Sequence, residues 1–428
     1  MPVLPPTSVR LAPLPLINQT SRVRQMRVVA DLQLHSKYAL ATSKDMDLEH
    51  LAAGAKLKGL DLLGTGDFSH PRWCSELKAR LKPIDDTGLF SYEGITWMLS
   101  GEVSTVYEQG GRVRKVHHLL YSPDFEILGQ ANDFLSKHAK LSSDGRPILR
   151  GIDSAELVEA LTGISDSLVV IPAHAWTPWF GVFGSKSGFD SLKECYQDQT
   201  GKIFALETGL SSDPEMNWRL SLLDSVSLMS NSDAHSPNPW RLGREANVFE
   251  LSRLTYGGLF EAVRQKDPSR FLYTIEVDPA YGKYHYTGHK KCGVSLAPVE
   301  AKRLGNKCPK CGKKLTVGVL QRLEDLADRP EGYVPIGAIP FKRLLPLYEV
   351  VSSATGVNRL YAKAVLEIQD RLIRRFGNEL KVLLEIPEGE LARVVPLRIA
   401  KAIVDLREGR VKFIPGYDGV YGIPDFPG

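Results

Sequence analysis

Val29-Ala30-Asp31-Leu32-Gln33-Leu34-His35 is a short apolar run that ends on side chains able to ligate a metal. Side chains alternate along a strand, so the run places residues 31, 33 and 35 on one face. The layout returns downstream at Leu62-Leu63-Gly64-Thr65-Gly66-Asp67, Gly101-Glu102, Val116-His117-His118-Leu119, Val169-Val170-Ile171-Pro172-Ala173-His174 and Ser232-Asp233-Ala234-His235. Strand candidates fall at 30–34, 60–64, 96–102, 117–121, 168–172, 203–207 and 227–230. Amphipathic stretches lie between them. One opens after Ser43 with Leu48, Leu51, Ala52, Ala55 and Leu57 on its apolar side, and another over 154–162 carries Leu157, Ala160 and Leu161. This alternation predicts an α/β barrel of seven strand units whose C-terminal strand ends converge on one mouth. Imidazoles and carboxylates meeting there repel or desolvate one another unless a cation holds them. The pattern therefore predicts two or three divalent ions, Zn2+ with Mg2+ or Mn2+ as alternatives, and Glu102, after a glycine, is the natural bridging carboxylate.

At 428 residues the chain is long enough for two or three domains. The boundaries expected are a flexible extension at 1–25, a barrel at 26–280, a basic insert at 281–316 and a helical region at 317–428. Prolines 5, 6, 13 and 15 interrupt the first stretch, which therefore lacks the apolar core of a signal peptide. No apolar run is long enough to cross a bilayer. In the last third, 357–376 carries Leu360, Ala364, Ile368 and Leu372 at four-residue spacing, and 390–408 is similar. The net charge of +4 is modest, but Lys283, Lys290, Lys291, Lys302, Arg303, Lys307, Lys310, Lys313 and Lys314 are opposed only by Glu300. Such a patch suits a polyanion; an ordinary solvated face is the competing reading.

Three of five cysteines fall between 292 and 311, which points to metal ligation in a reducing, cytoplasmic setting. His289-Lys290-Lys291-Cys292 and Cys308-Pro309-Lys310-Cys311 form two knuckles, the layout of one closed tetrahedral structural zinc site. His285 is an alternative fourth ligand. Cys74 and Cys195 read as ordinary isolated cysteines.

The ordered motifs of 27–249 resemble those of the PHP (polymerase and histidinol phosphatase) superfamily. With the knuckles and the Pro415-Gly416-Tyr417-Asp418-Gly419-Val420-Tyr421-Gly422 tail, the chain resembles the endonuclease Q family over nearly everything after residue 26. The resemblance implies a distorted (β/α)7 PHP barrel with a zinc-knuckle insert and a helical C-terminal region. It implies that His35, Glu102 and Asp233 serve one metal, Glu102, His118 and His174 a second, and Asp67 with His235 a third. His118 is preferred over His117 because the family sets its histidine before two apolar residues. Gln33 stands where the family has a histidine, and its amide oxygen is a weaker zinc ligand. The implied activity is hydrolysis of DNA on the 5′ side of deaminated bases (hypoxanthine, uracil, xanthine) or abasic sites. Attack would come from a metal-activated hydroxide at the Glu102-bridged pair, with Asp67, Asp233 and His235 completing the catalytic set.

The implied partner is double-stranded DNA carrying damaged bases, bound by a monomer. A sliding-clamp contact is conceivable, although no clamp-binding peptide stands out. Lys37, Lys44, Lys186, Arg241 and Arg244 lie near the motifs and suit flanking phosphates, or plain surface. Trp176, Trp179 and Phe180 read as a slot or wedge for an extruded base, or as core aromatics that anchor the loop. Tyr284 and Tyr286 suit stacking on DNA. Two rival readings are a PHP phosphatase acting on a small phosphoester and a DNA-binding scaffold weakened by Gln33.

Overall fold

A computed structural model describes residues 25–357 and 361–427. The expected extension, except residue 25, and Leu360 of the periodic stretch lie outside the described residues. All seven expected strand regions contain a strand. Met26–Asp31 pairs in parallel with Leu62–Gly64, and that strand pairs in parallel with the 15-residue strand Ile95–Gln109. Gly110 and Gly111, both at positive φ (62° and 69°), then turn the chain straight back into Arg112–Ser122. Two successive positive φ values are the backbone of a tight hairpin turn, which glycine adopts without strain. Arg112–Ser122 therefore runs antiparallel to its neighbours, Ile95–Gln109 on one side and Val169–Pro172 on the other. This breaks the uniform strand–helix alternation expected from the sequence, and the sheet is the distorted barrel of a mixed α/β fold.

Ala205–Glu207 and Ser227–Met229 form a separate parallel pair. On the other flank, Ala246–Leu251 pairs antiparallel with the first strand, followed by Phe271–Glu276 and Phe341–Arg343. Buried aliphatic and aromatic side chains, Trp73, Trp97 and Phe249 among them, fill both faces of the sheet. Helix Leu48–Lys58 opens on the Asp47 side chain and closes at Gly59 with φ 98°. No helix among the described residues is long and apolar enough to cross a membrane.

The basic insert folds as a hairpin, Thr287–His289 with Val294–Leu296, over a small core of Val294, Leu296, Ala301 and Leu315. The C-terminal helices are Leu347–Thr355, Lys363–Phe376, Glu379–Leu384, Glu388–Ala392 and Leu397–Arg407. The continuous helix expected over 390–408 is two helices, because Pro396 cannot donate to the preceding turn and pushes Val395 out of the helical region. The tail returns to the insert. Tyr286 N–H donates to the Gly416 carbonyl (2.9 Å), Gly422 N–H to the Tyr281 carbonyl (2.9 Å) and Lys290 N–H to Asp418 Oδ2 (2.6 Å).

Candidate metal centre

The glycines of Gly64-Thr65-Gly66-Asp67 let two mouth segments touch. A Cβ on Gly64 would sit 2.3 Å from the Leu32 carbonyl oxygen, and one on Gly66 would sit 2.2 Å from that of Leu34. The contact brings Asp67 beside His35, whose Nδ1 is 2.9 Å from Asp67 Oδ1. His35 Nε2 then faces two carboxylates at 3.1 Å, Glu102 Oε2 and Asp233 Oδ1. His235 completes this side, its ring 4.6 Å from that of His35. The ligand atoms of His35, Asp233 and His235 all lie within 4.8 Å of one another.

A second group with the same spacing is Glu102, His117 and His174. Glu102 Oε1 is 2.5 Å from His117 Nδ1 and 3.3 Å from His174 Nε2. One carboxylate oxygen of Glu102 thus faces each group. Gln33 donates its amide to Glu102 Oε2 (3.0 Å). The His174 backbone N–H donates to Glu207 Oε2 (2.8 Å), and Thr177 Oγ1 lies 2.9 Å from His174 Nδ1, which orients the ring. Asp67, His174 and Asp233 have φ values of 46°, 27° and 48°, backbone strain of the kind that concentrates at functional sites.

Burial works to raise the Glu102 carboxyl, yet His117, Arg146 and the hydrogen bonds from His117 and His174 hold it well below the usual carboxylate range. Burial pushes His117 down to about 4, despite the opposing pull of Glu102. Ionised carboxylate and neutral imidazole are the forms that bind a cation. Burial also opposes protonation of His35, but Asp67, Asp233 and Glu102 raise it well above an ordinary histidine. Three buried atoms at the meeting point, His35 Nε2, Asp233 Oδ1 and Gln33 Oε1, make no hydrogen bond among the described residues, although the first two face each other at 3.1 Å. Buried polar atoms rarely stay unpaired. Convergent nitrogen and carboxylate oxygen donors with unmet valence fit divalent cations.

His118 is not in this site, contrary to the sequence expectation. Glu102 and Ser104 share a strand face with their register partners Leu119 and His117, while Val103 and Thr105 share the opposite face with His118. The His118 Nε2 accordingly lies 3.1 Å from Thr105 Oγ1, and its Nδ1 3.1 Å from the Tyr196 hydroxyl, in a setting whose burial drives the ring down to about 3. Asp67, expected to share an ion with His235, lies against His35, whose ring stands 4.6 Å from that of His235. Its carboxylate accepts from Ser36 N (2.5 Å) and Ser36 Oγ (2.7 Å) as well as facing His35. Asp31 accepts from Ser232 N (3.0 Å) and Gly243 N (2.8 Å). Arg146, missed in the sequence, places Nη1 3.8 Å from Glu102 Oε1. It sits in a loop with no motif to announce it.

Trp176 is 1 % exposed and donates to Asn217 Oδ1 (2.8 Å), so it is a core residue and not a slot. Trp179 is 43 % exposed and meets Tyr284 edge to face, ring centres 5.6 Å apart. Lys186 lies over Trp179, and Phe180 packs on the His117 ring at 4.3 Å. Tyr286 stacks on His285. Lys44 is exposed, Arg241 is half-buried, and Lys37 is paired with Glu76 (2.9 Å). Arg244 is not a free phosphate clamp: its Nε and Nη2 both donate to the Ser232 carbonyl. In the insert, the ligand atoms of His289, Cys292, Cys308 and Cys311 lie within 4.8 Å of one another, whereas the His285 Nδ1 is buried without a partner among the described residues and its ring lines a separate cavity with Asp213 and Arg343.

Residues 346–410 match the family model described as the MJ0043 C-terminal domain. Protein MJ0043 of Methanocaldococcus jannaschii is 35 % identical over 253 residues, 58 % of this chain but 31 % of that longer protein. YqxK of Bacillus subtilis is 30 % identical over 413 residues, covering 92 % of this chain and 98 % of its own. The crystal structure of the lesion-specific endonuclease PfuEndoQ from Pyrococcus furiosus superposes with a TM-score of 0.84 at 37 % identity, over 94 % of this chain and 96 % of that one. A structure of endonuclease Q with a 27-mer duplex substrate carrying an abasic lesion at the active site superposes equally well, at 36 % identity over 94 % and 97 % of the two chains. With near-complete coverage at that identity, and the same fold from the barrel to the tail, the chain belongs to the endonuclease Q family.

Proposed function

We propose that this chain is a DNA repair endonuclease that hydrolyses a phosphodiester beside a damaged base. The observation that carries the reading is Glu102, whose two carboxylate oxygens face two groups of nitrogen and oxygen donors at the mouth of the barrel. Divalent ions held there would supply positive charge against the phosphate and acidify water for attack at neutral pH. His35, Asp233 and His235 would hold one ion, and Glu102, His117 and His174 another. Gln33 fixes the Glu102 carboxylate by its amide, and Arg146 adds a cation on the same side. His289, Cys292, Cys308 and Cys311 would hold a structural zinc.

The proposed substrate is duplex DNA with an abasic site or a deaminated base, cut on the 5′ side of the lesion. Reaching such a nucleotide means extruding it, which costs a few kcal/mol and less where pairing is already lost. Phe180 and Trp179 lead outward from His117 to Tyr284, with Lys115 and Lys186 over the two former rings, a surface suited to unstacked bases and their phosphates. The test is a nicking assay on duplexes carrying an abasic site, uracil, hypoxanthine or xanthine, with metal content measured on the same sample. A nick 5′ to at least one lesion is expected. Metal-loaded protein that leaves every duplex intact but hydrolyses histidinol phosphate would make it a small-molecule phosphatase instead.

A further inference from the structure

Lys58, the last residue of helix Leu48–Lys58, is 1 % exposed, an unusual place for an ammonium group. Its Nζ donates to Glu379 Oε1 (2.7 Å) and to the Pro239 carbonyl (2.6 Å). Glu379 is fully buried and belongs to the C-terminal helical region, where it also accepts from Leu347 N (3.1 Å) and Gln369 Nε2 (3.0 Å). Apolar residues of like volume are often as stable as a buried ion pair, so stability alone does not account for this one.

Pro239 lies four residues beyond His235, in the loop that leads from the Asp233–His235 pair to Gly243. That loop is gripped on every side. A Cβ on Gly54 would sit 2.1 Å from the Pro237 carbonyl oxygen, and the Trp240 ring packs on Tyr348 (5.2 Å) and Tyr361 (5.5 Å) of the C-terminal region. Its two ends are tied by Arg244 to the Ser232 carbonyl and by Gly243 N–H to Asp31.

We propose that Lys58 and Glu379 are positioning residues through which the C-terminal helical region sets the loop after His235, and so the placement of Asp233 and His235 at the metal centre. This rests on the reading that those two side chains hold a divalent ion. The polar link continues from Leu347 and Gln369 through Glu379 and Lys58 to Pro239, so the region matched at 346–410 forms one wall of the centre's support.

The test titrates cobalt(II) into the full-length chain, its finger already filled with zinc, and follows the d–d absorption, which carries no thiolate charge-transfer band at an all-nitrogen-and-oxygen site. Lys58→Met and the double variant Lys58→Met/Glu379→Met are compared with wild type, the second because removing both charges leaves no lone ion in the core. At least tenfold weaker cobalt binding with an altered band shape is expected, together with a fall in kcat for nicking at unchanged KM. If neither variant folds, Trp240→Phe loosens the same loop and is read by the same criteria. A folded variant with lowered melting temperature but wild-type cobalt affinity and spectrum would reduce the pair to a docking contact. Wild-type protein taking up no cobalt beyond the finger would instead sink the underlying ligand assignment, and this inference with it.

Discussion

His117 and His118 are neighbours with opposite fates, and the difference is the parity of a strand. His117 lies against Glu102 and His174, while His118 is held by Thr105, Ser154 and Tyr196. His117→Ala should therefore lower metal occupancy and cut nicking by about 100-fold or more, since even orienting partners of metal ligands are worth 10–100-fold. His118→Ala should leave the metal content intact and lower stability by about 1–3 kcal/mol for each polar partner stranded in the core. Metal analysis and a thermal melt on the two proteins separate these outcomes; the reverse pattern would restore His118 to the centre. Both residues precede the same apolar run, Leu119-Leu120-Tyr121, so the sequence alone offers no parity without the register. Arg146 and Ser36 were invisible for a different reason: they reach the site through loop geometry, which leaves no periodic trace.

The strands were legible because buried strands read as continuous apolar runs whatever their direction. Direction itself was not legible. The Gly110-Gly111 turn that reverses Arg112–Ser122 is a two-residue signal at the end of a 15-residue strand that runs well past the apolar stretch ending at Glu102. Aromatic loops posed a similar ambiguity. In Trp176-Thr177-Pro178-Trp179-Phe180 nothing in the spacing tells a core anchor from a surface ring, yet one tryptophan is sealed and the other is exposed. Trp179→Ala should weaken binding to lesion DNA by about 1–3 kcal/mol, the worth of one stacked base, with an unchanged melting temperature. Trp176→Ala should destabilise the fold by about 3–5 kcal/mol through the cavity it leaves. Fluorescence anisotropy and calorimetry decide between them, and equal effects on both quantities from both variants would erase the distinction.

At the scale of the whole molecule, finger, tail and barrel share one face. Tyr284, three residues before the finger hairpin, meets Trp179 of the barrel, and Lys283 lies over Tyr421 of the tail. A structural zinc site couples metal binding to folding. Cys311→Ser should unfold the finger, lower duplex affinity and flatten its salt dependence, because each lost phosphate contact removes about 0.9 from the slope of log K against log salt. An unchanged slope would place the insert's lysines away from DNA. The tail adds a constraint in time. Asp418 closes on Lys290 and Gly416 on Tyr286, so residues more than a hundred positions downstream are needed to finish this module. A chain still emerging from the ribosome can complete its barrel strands but not this surface, and truncated products should retain the histidine and carboxylate cluster of the mouth while lacking the platform beside it.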